Sequence, residues 1–207
     1  DSYDFDENQD IDVTFFEEVR RPFPSDNGKI SWSDFVDLLK KRSIREEKDG
    51  PLFATYKIKE GQKRSADSVV SYSALVLDVD SKNGSVPYRN FPSVLYQYEH
   101  VAYSTHQNTG QLPRYRIVIP FTRTVTVEEY KIVEKNFRQQ FSDLVDPCSK
   151  NVSQAFYLPS CPKNNAKEAF ISHIPGIGIN PKDYLPETSN DYKALRTVIS
   201  EWSDDNE

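Results

Sequence analysis

Two aspartates end an apolar run in the segment "ALVLDVDSKNG", residues 74–84, and their spacing is suited to chemistry. Asp78 and Asp80 are two residues apart, so on a strand their side chains point the same way, about 6.5–7 Å apart along it. Two carboxylates on one face repel each other unless a positive group lies between them. Mg²⁺ or Mn²⁺ prefers oxygen ligands of this kind. The pair therefore indicates either a divalent-metal site or the ordinary solvated end of a strand.

A third acid would favour the metal site. Asp146 follows a long amphipathic segment and precedes a short β-rich one, in "LVDPCSKNVSQAFYLP". Pro147 holds the residue before it in an extended conformation. Taken alone, Asp146 is better explained as an ordinary loop aspartate, so its assignment depends on the other motifs.

A hydroxyl and an imidazole occur together at another predicted strand end. Ser104 and His106, in "AYSTHQNTG", are two residues apart, and we expect their side chains to face one way. Both groups can donate hydrogen bonds to phosphate oxygens. The pair predicts a phosphate site, and the alternative is a partly buried histidine bonded to the backbone.

Four basic residues are candidates for contacts with phosphates. Arg114 and Arg116 alternate with apolar residues in "RYRIVIPF", so they share one face of a strand. An arginine there can pair with an acid or bind a triphosphate through two parallel hydrogen bonds. Lys63 and Arg64 lie in the polar loop before the acidic strand, where they contact either a nucleotide, a template or only solvent.

The cysteines and the remaining histidines predict no zinc site. Cys148 and Cys161 are too few for a disulfide framework. Together with His100 and His173 they do not show zinc-finger spacing. Such sparse cysteine usage favours a reduced, intracellular setting, which we expect to be the cytoplasm.

Strands dominate the middle of the chain, and helices occur at intervals. Strand-like segments include 11–19, 52–58, 69–80 and 114–121. The 3.6-residue period predicts helices over 31–42, capped by Ser31, and over 126–144. This order predicts an α/β or α+β domain around a mixed sheet.

The net charge of −6 is unevenly distributed along the 207 residues. Residues 1–10 carry five acids and no base, and residues 187–207 carry six acids and two bases. Residues 11–186 carry 24 basic and 21 acidic residues, a net charge of +3. We predict an acidic tail at 1–10, one folded domain at 11–186, and an acidic segment or linker to a further domain at 187–207. The basic centre permits nucleic-acid binding without requiring it.

No apolar run approaches the roughly 20 residues that a membrane-spanning helix needs. We therefore expect no membrane partner. The chain contains no methionine, not even at its start, and we interpret it as part of a longer protein.

In order, the motifs "LVLDVD", "YSTH", "RYRIVIPF" and "DPCSKNVSQAFYLP" resemble the archaeo-eukaryotic primase superfamily, also called primase-polymerases. The similarity is greatest to the branch found in phages, plasmids and mobile elements, and it covers roughly residues 50–165. That family has an Asp-x-Asp strand, a Ser-x-His motif and a third acid. These motifs fall here on Asp78 and Asp80, on Ser104 and His106, and on Asp146.

The resemblance implies a fold and a set of site residues. The implied fold is α+β, with an RRM-like catalytic mixed sheet, helices and a second small α/β subdomain intertwined with it. Two ions of Mg²⁺ or Mn²⁺ would be held by Asp78, Asp80 and Asp146, which together with His106 form the expected catalytic set. The candidate nucleotide contacts are Ser104, His106, Arg114, Arg116, Lys63 and Arg64.

The implied reaction is template-dependent nucleotidyl transfer to a primer 3′-hydroxyl, by a DNA primase, a DNA polymerase or both. It would serve replication of a phage, plasmid or mobile element. The implied partners are a single-stranded DNA template with its primer, an NTP or dNTP, and a fused or associated helicase. Two alternatives remain open: a metal-dependent nucleotide-sugar transferase, which also uses Asp-x-Asp, and a non-catalytic RRM-like module that binds nucleic acid.

Overall fold

The computed structural model describes residues 4–80, 86–141, 144–145 and 151–186. The helices in these ranges are α1, Trp32–Lys40, and α2, Val127–Arg138. The strands are β1 Asp10–Phe16, β2 Asp26–Ser31, β3 Ser43–Ile44, β4 Leu52–Ala54, β5 Tyr56–Ile58, β6 Val69–Asp80, β7 His100–Ser104, β8 Arg114–Thr126, β9 Phe156–Tyr157, β10 Ser160–Cys161 and β11 Ile171–Ile174. They form sheets of order β11-β7-β8-β6-β5, β2-β1-β4-β9 and β10-β3. The predicted α+β class is confirmed.

The five-stranded sheet is antiparallel in all its described strand pairings. Polar loops of about ten residues join β5 to β6 and β7 to β8, and short connections of this kind favour antiparallel neighbours. Parallel bridges join Tyr98 to Ile177 and Phe121 to Ile179. Among the residues that the structure describes, the sheet is mixed only through these bridges.

Strands β6 and β8 lie inside the sheet and separate two hydrophobic cores. Because side chains alternate along a strand, Leu75, Leu77 and Val79 pack on the face that carries α2. Ala74 and Val76 pack on the other face, against β1, β4 and α1. The apolar run before the two aspartates thus holds their backbone from both sides.

Both helices begin at a side-chain cap. Ser31 Oγ accepts a hydrogen bond from Asp34 N at 3.1 Å, as the sequence predicts. Thr126 and Glu129 form a reciprocal capping box at the start of α2. Helix α2 ends at Arg138 and a 3₁₀ turn follows it, so it is shorter than predicted. Within the described part of the chain, no helix is long and apolar enough to cross a membrane.

A buried carboxylate joins α1 to the large sheet. Glu99, which is 3% exposed, accepts a hydrogen bond from Trp32 Nε1 at 2.6 Å. The same carboxylate oxygen lies 2.6 Å from His173 Nε2, and the other accepts from Gly176 N at 2.9 Å. A buried charge is tolerated only when it is well hydrogen-bonded. These three groups provide the partners that Glu99 needs.

The neighbouring His100 is fully buried and has a partner at each ring nitrogen. Its Nδ1 lies 2.7 Å from Tyr98 O, and its Nε2 lies 2.7 Å from Tyr88 Oη. Because a carbonyl only accepts, Nδ1 carries the proton and Nε2 accepts from the Tyr88 hydroxyl. Burial lowers the pKa of His100 below its ordinary value, against the opposing influence of the Tyr98 carbonyl and Glu99.

We expect the free energy of unfolding to decrease as the pH falls from 7.5 to 5.5. The pKa of His100 is lowered in the folded state, so the unfolded chain binds this proton first. The stability contribution is complete above the ordinary histidine pKa of about 6.5 and is lost progressively below it. Urea denaturation at pH 7.5, 6.5 and 5.5 measures the effect.

The matched variant is His100→Gln, which removes the titrating group and leaves His173 unchanged. Its free energy of unfolding should depend less on pH over this window, whatever its value at pH 7.5. An equally steep pH dependence in both proteins would contradict the assignment to His100.

Candidate functional site

The two aspartates at the end of β6 lie directly across from two arginines of β8. Asp78 pairs in register with Arg116, and Asp80 pairs with Arg114. Arg116 Nη2 is 3.3 Å from Asp78 Oδ2, and Arg114 Nε is 3.0 Å from Asp80 Oδ1. As predicted, the two aspartates share one face of β6, and the two arginines share one face of β8. We call these four residues the Asp–Arg set; it carries no net formal charge.

Arg116 is the most enclosed member of the set. Its side chain is 11% exposed, and its guanidinium carbon lies 5.2 Å from the centre of the Phe156 ring. Tyr103 lies across from it on β7. Burial lowers the pKa of Arg116, but Asp78 and Tyr103 beside it raise the pKa more, so the guanidinium stays charged. Burial raises the pKa of Tyr103 to about 12.

Arg114 is held by the loop between β7 and β8. Its Nη1 donates to Gln107 Oε1 at 2.8 Å, and its backbone N donates to Asn108 Oδ1 at 2.9 Å. Thr105 N donates to the Arg114 carbonyl at 2.9 Å. This loop therefore borders the Asp–Arg set at the end of the sheet.

Three buried polar atoms of the Asp–Arg set have no hydrogen-bond partner among the described residues. They are Asp80 Oδ1, Arg114 Nε and Arg116 Nε. Asp80 Oδ1 and Arg114 Nε form a close ion pair, but their relative orientation does not make a hydrogen bond. Buried polar atoms normally have partners. A cation at the carboxylate and an anion at the two Nε–H groups would supply them.

The carboxylates fit a divalent ion by the type of their donor atoms. Asp78 and Asp80 have side chains that are 18% and 32% exposed, so an ion from solvent can reach them. No group of three histidine, cysteine or acidic side chains suitable for a metal occurs in the part of the chain that the structure describes. Asp146, the predicted third acid, lies outside those residues. The three-acid site remains a prediction.

Ser104 and His106 do not face one way, contrary to the expectation from their spacing. Strand β7 ends at Ser104 and the chain then turns, so strand alternation does not reach His106. Ser104 Oγ donates to Phe170 O at 3.3 Å and accepts from Phe170 N at 3.0 Å. His106 Nδ1 lies 3.1 Å from Ser160 Oγ, and its Nε2 lies 3.3 Å from Glu46 O.

Ser104 also lies on the face of the sheet opposite the aspartates. Its cross-strand neighbour is Tyr115, which packs with Leu77 and Val79 in the core beneath α2. Asp78 alternates with those residues and points to the other face. The structure therefore does not bring Ser104 and His106 together as a phosphate pair, and their assigned roles remain predictions.

Lys63 and Arg64 lie in the loop between β5 and β6. Arg64 packs against residues 16–22, and Lys63 is exposed. In the described ranges, neither side chain contacts the Asp–Arg set. Their predicted contact with a nucleotide remains untested.

Tyr103 and Phe156 were missed by sequence reasoning, although they enclose Arg116. Both are aromatic residues in segments that the sequence assigns to strands. Strand alternation identifies which residues share a face, but it does not identify which strands are neighbours. No sequence signal therefore linked these rings to Arg116.

Comparison with known proteins gives one family match. Residues 9–196 match the family described as the VapE N-terminal domain. No curated protein matches the chain significantly. Among solved structures, the chain is similar to the AEP domain of the primase-polymerase (PrimPol) of cyanophage S-2L, with 11% sequence identity and a TM-score of 0.47 over 87% of this chain and 91% of that chain. A likeness this distant says nothing about activity or ligands.

Proposed function

This chain belongs to the VapE N-terminal domain family, and from that premise we propose that it catalyses template-dependent nucleotidyl transfer to a primer 3′-hydroxyl. The observation that carries the proposal is the Asp–Arg set. It places carboxylates, which can bind a metal ion, beside guanidinium groups, which can bind phosphates, at one end of the strand pair β6–β8. The order of the sequence motifs, which resembles primase-polymerases, supports the same reaction. The enzyme would act as a DNA primase, a DNA polymerase or both.

The acids of the set would hold the metal. Asp78 and Asp80, together with Asp146, are the proposed ligands of Mg²⁺ or Mn²⁺. When bound, the metal stabilises negative charge on the transferring phosphoryl group and activates the attacking hydroxyl. Because β6 is packed on both faces, the first two carboxylates are presented from a rigid strand.

The arginines of the set would bind the triphosphate. Arg114 and Arg116 each have an Nε–H group without a hydrogen-bond partner among the described residues, and guanidinium groups bind phosphates bidentately. When the carboxylates share their charge with a cation, each arginine is less tightly held by its acid. Metal and nucleotide should therefore favour each other's binding at this site.

His106 would have to change partners to contact a nucleotide. Its two ring nitrogens face Ser160 Oγ and Glu46 O at 3.1 and 3.3 Å. The first length is ordinary and the second is long for a hydrogen bond, and a phosphate oxygen is a stronger acceptor than either partner. We propose that His106 exchanges one of them for the triphosphate.

A primer-extension assay tests the proposed function. The protein is incubated with a primed single-stranded DNA template, NTPs or dNTPs, and Mg²⁺ or Mn²⁺. We expect products that lengthen by nucleotides complementary to the template, and that stop where a required nucleotide is withheld. Failure to extend the primer with either metal and either nucleotide set would contradict the proposal.

A second candidate function is a nucleic-acid-binding module without catalysis. One observation favours it, namely that Asp78 and Asp80 are already paired with Arg116 and Arg114. An acid neutralised by its own arginine needs no metal to be stable. This candidate predicts nucleic-acid binding that is independent of metal and is accompanied by no extension.

A further inference from the structure

Two loops lie side by side on one surface, which we call the basic loop surface and define as residues 17–25 and 59–64. Arg64 joins them, because its backbone N donates to Pro22 O at 2.7 Å and its Nη2 donates to Val19 O at 3.1 Å. Its guanidinium carbon also lies 5.2 Å from the centre of the Phe16 ring. The two loops are therefore held together as one surface.

Cations on this surface are incompletely neutralised. Arg21 is paired with Glu17 and Glu18, at 2.5 and 3.0 Å. Arg20 and Lys63 are exposed and have no acidic partner among the described residues. Exposed cations without counter-ions attract a polyanion.

An aromatic ring is exposed among these cations. Phe23 is 60% exposed, and it lines a cleft of about 340 Å³ together with Arg20 and Arg21. Proteins that bind single-stranded nucleic acid combine cations along the backbone with aromatic rings on which bases stack. Phe23 and its neighbours have this composition.

A larger polar cleft of about 560 Å³ adjoins the basic loop surface. Arg64 and Val19 line one part of it, and Ser153, Gln154 and Tyr157 line another. Gln154 Oε1 is buried and has no hydrogen-bond partner within the described ranges. An N–H donor would satisfy this acceptor, and the exocyclic amino group of a nucleobase is such a donor.

Strand β9 connects this cleft with the candidate active site. Tyr157 lines the cleft, and the preceding residue, Phe156, lies against the guanidinium of Arg116. One residue of β9 thus lines the cleft, and the residue before it packs against a member of the Asp–Arg set.

We infer that the basic loop surface and the adjoining cleft bind single-stranded nucleic acid. Arg20 and Lys63 contact phosphates, Phe23 stacks on a base, and Gln154 accepts a hydrogen bond from a base edge. The inference rests on the proposed function and deepens it, because it names the surface that holds the template strand.

Fluorescence anisotropy with a labelled single-stranded DNA tests the inference. The probe should have about 20 nucleotides, longer than the roughly 4–16 that one site covers. The double variant R20A/K63A should bind about 10-fold more weakly or worse. A plot of log K against log salt has a negative slope, and the magnitude of this slope should become smaller by about 1.4, or about 0.7 for each lost phosphate contact.

The matched control is the double variant K163A/K167A, which removes the same charge from two exposed lysines in the connection between β10 and β11. Its affinity should change by less than about 2-fold. Equal weakening in both double variants, or none in R20A/K63A, would overturn the inference.

Phe23→Ala should weaken binding by about 5-fold or more, with little change in the salt dependence, because stacking releases few counter-ions. Unchanged affinity would remove Phe23 from the site.

Binding is measured in EDTA, separately from extension, so that the two proposals can fail separately. Metal-independent binding that requires Arg20 and Lys63, in a protein that does not extend primers, would support the inference and contradict the proposed function. Extension at limiting template that is unaffected by R20A/K63A would support the function and contradict the inference.

Discussion

Replacing Asp78 and Asp80 together by asparagine should reduce the rate of primer extension by at least about 1,000-fold. Metal-assisted charge stabilisation contributes several kcal/mol to a phosphoryl-transfer barrier, and each 1.4 kcal/mol is worth about a factor of ten. Asparagine keeps the shape of aspartate but removes its charge, so it is a poor ligand for Mg²⁺ or Mn²⁺. Primer extension under single-turnover conditions measures the loss.

The matched control is D37N/D49N. Asp37 and Asp49 are exposed, and each is paired with a cation, Lys40 and Arg45 respectively. The control thus removes the same number of carboxylates from ion pairs outside the Asp–Arg set. Extension should be unchanged by it. Full extension activity in D78N/D80N would contradict the assigned role of the two acids, whereas retained DNA binding would show that the variant is folded.

Replacing Glu99 by leucine should lower the free energy of unfolding by about 3–5 kcal/mol. Leucine has a similar volume but accepts no hydrogen bond, so Trp32 Nε1–H and Gly176 N–H lose their acceptor in a buried setting. His173 loses its partner as well. Removing one member of a buried charged network typically costs this much.

Urea denaturation at pH 7.5 measures the effect of Glu99→Leu. Glu47→Leu, at an exposed position, is the matched control and should change the free energy of unfolding by less than about 0.5 kcal/mol. Glu99→Gln keeps one acceptor and the side-chain shape, so its effect should fall between the two. A loss from Glu99→Leu as small as that from the control would show that the network contributes little.

Within a single strand, the sequence was sufficient to predict which of the candidate residues share a face. Strand alternation placed Asp78 and Asp80 on one face, and Arg114 and Arg116 on one face, as observed. It could not reveal that the two pairs lie opposite each other. Strand β6 pairs with β8 and not with β7, which comes between them in the chain, and that choice depends on packing over the whole sheet.

The prediction for Ser104 and His106 was wrong in its geometry because it extended alternation past the end of a strand. The side chain of Ser104, the last residue of β7, exchanges two hydrogen bonds with Phe170, more than sixty residues away, and no local pattern reports such a contact. The resemblance to primase-polymerases did not depend on how these two side chains are oriented. It rested on the order of four motifs, and it agrees with the family match over residues 9–196.

The packing of β6 on both faces has a consequence for motion. A strand that contributes to two cores cannot shift without disturbing both, so the backbone of Asp78 and Asp80 is a fixed reference within the molecule. The short aspartate side chains add little freedom. The arginine side chains opposite them have four rotatable bonds, and their guanidinium ends can exchange one anionic partner for another. We therefore expect any ligand exchange at this site to occur by rearrangement of the arginines, while the carboxylates stay in place.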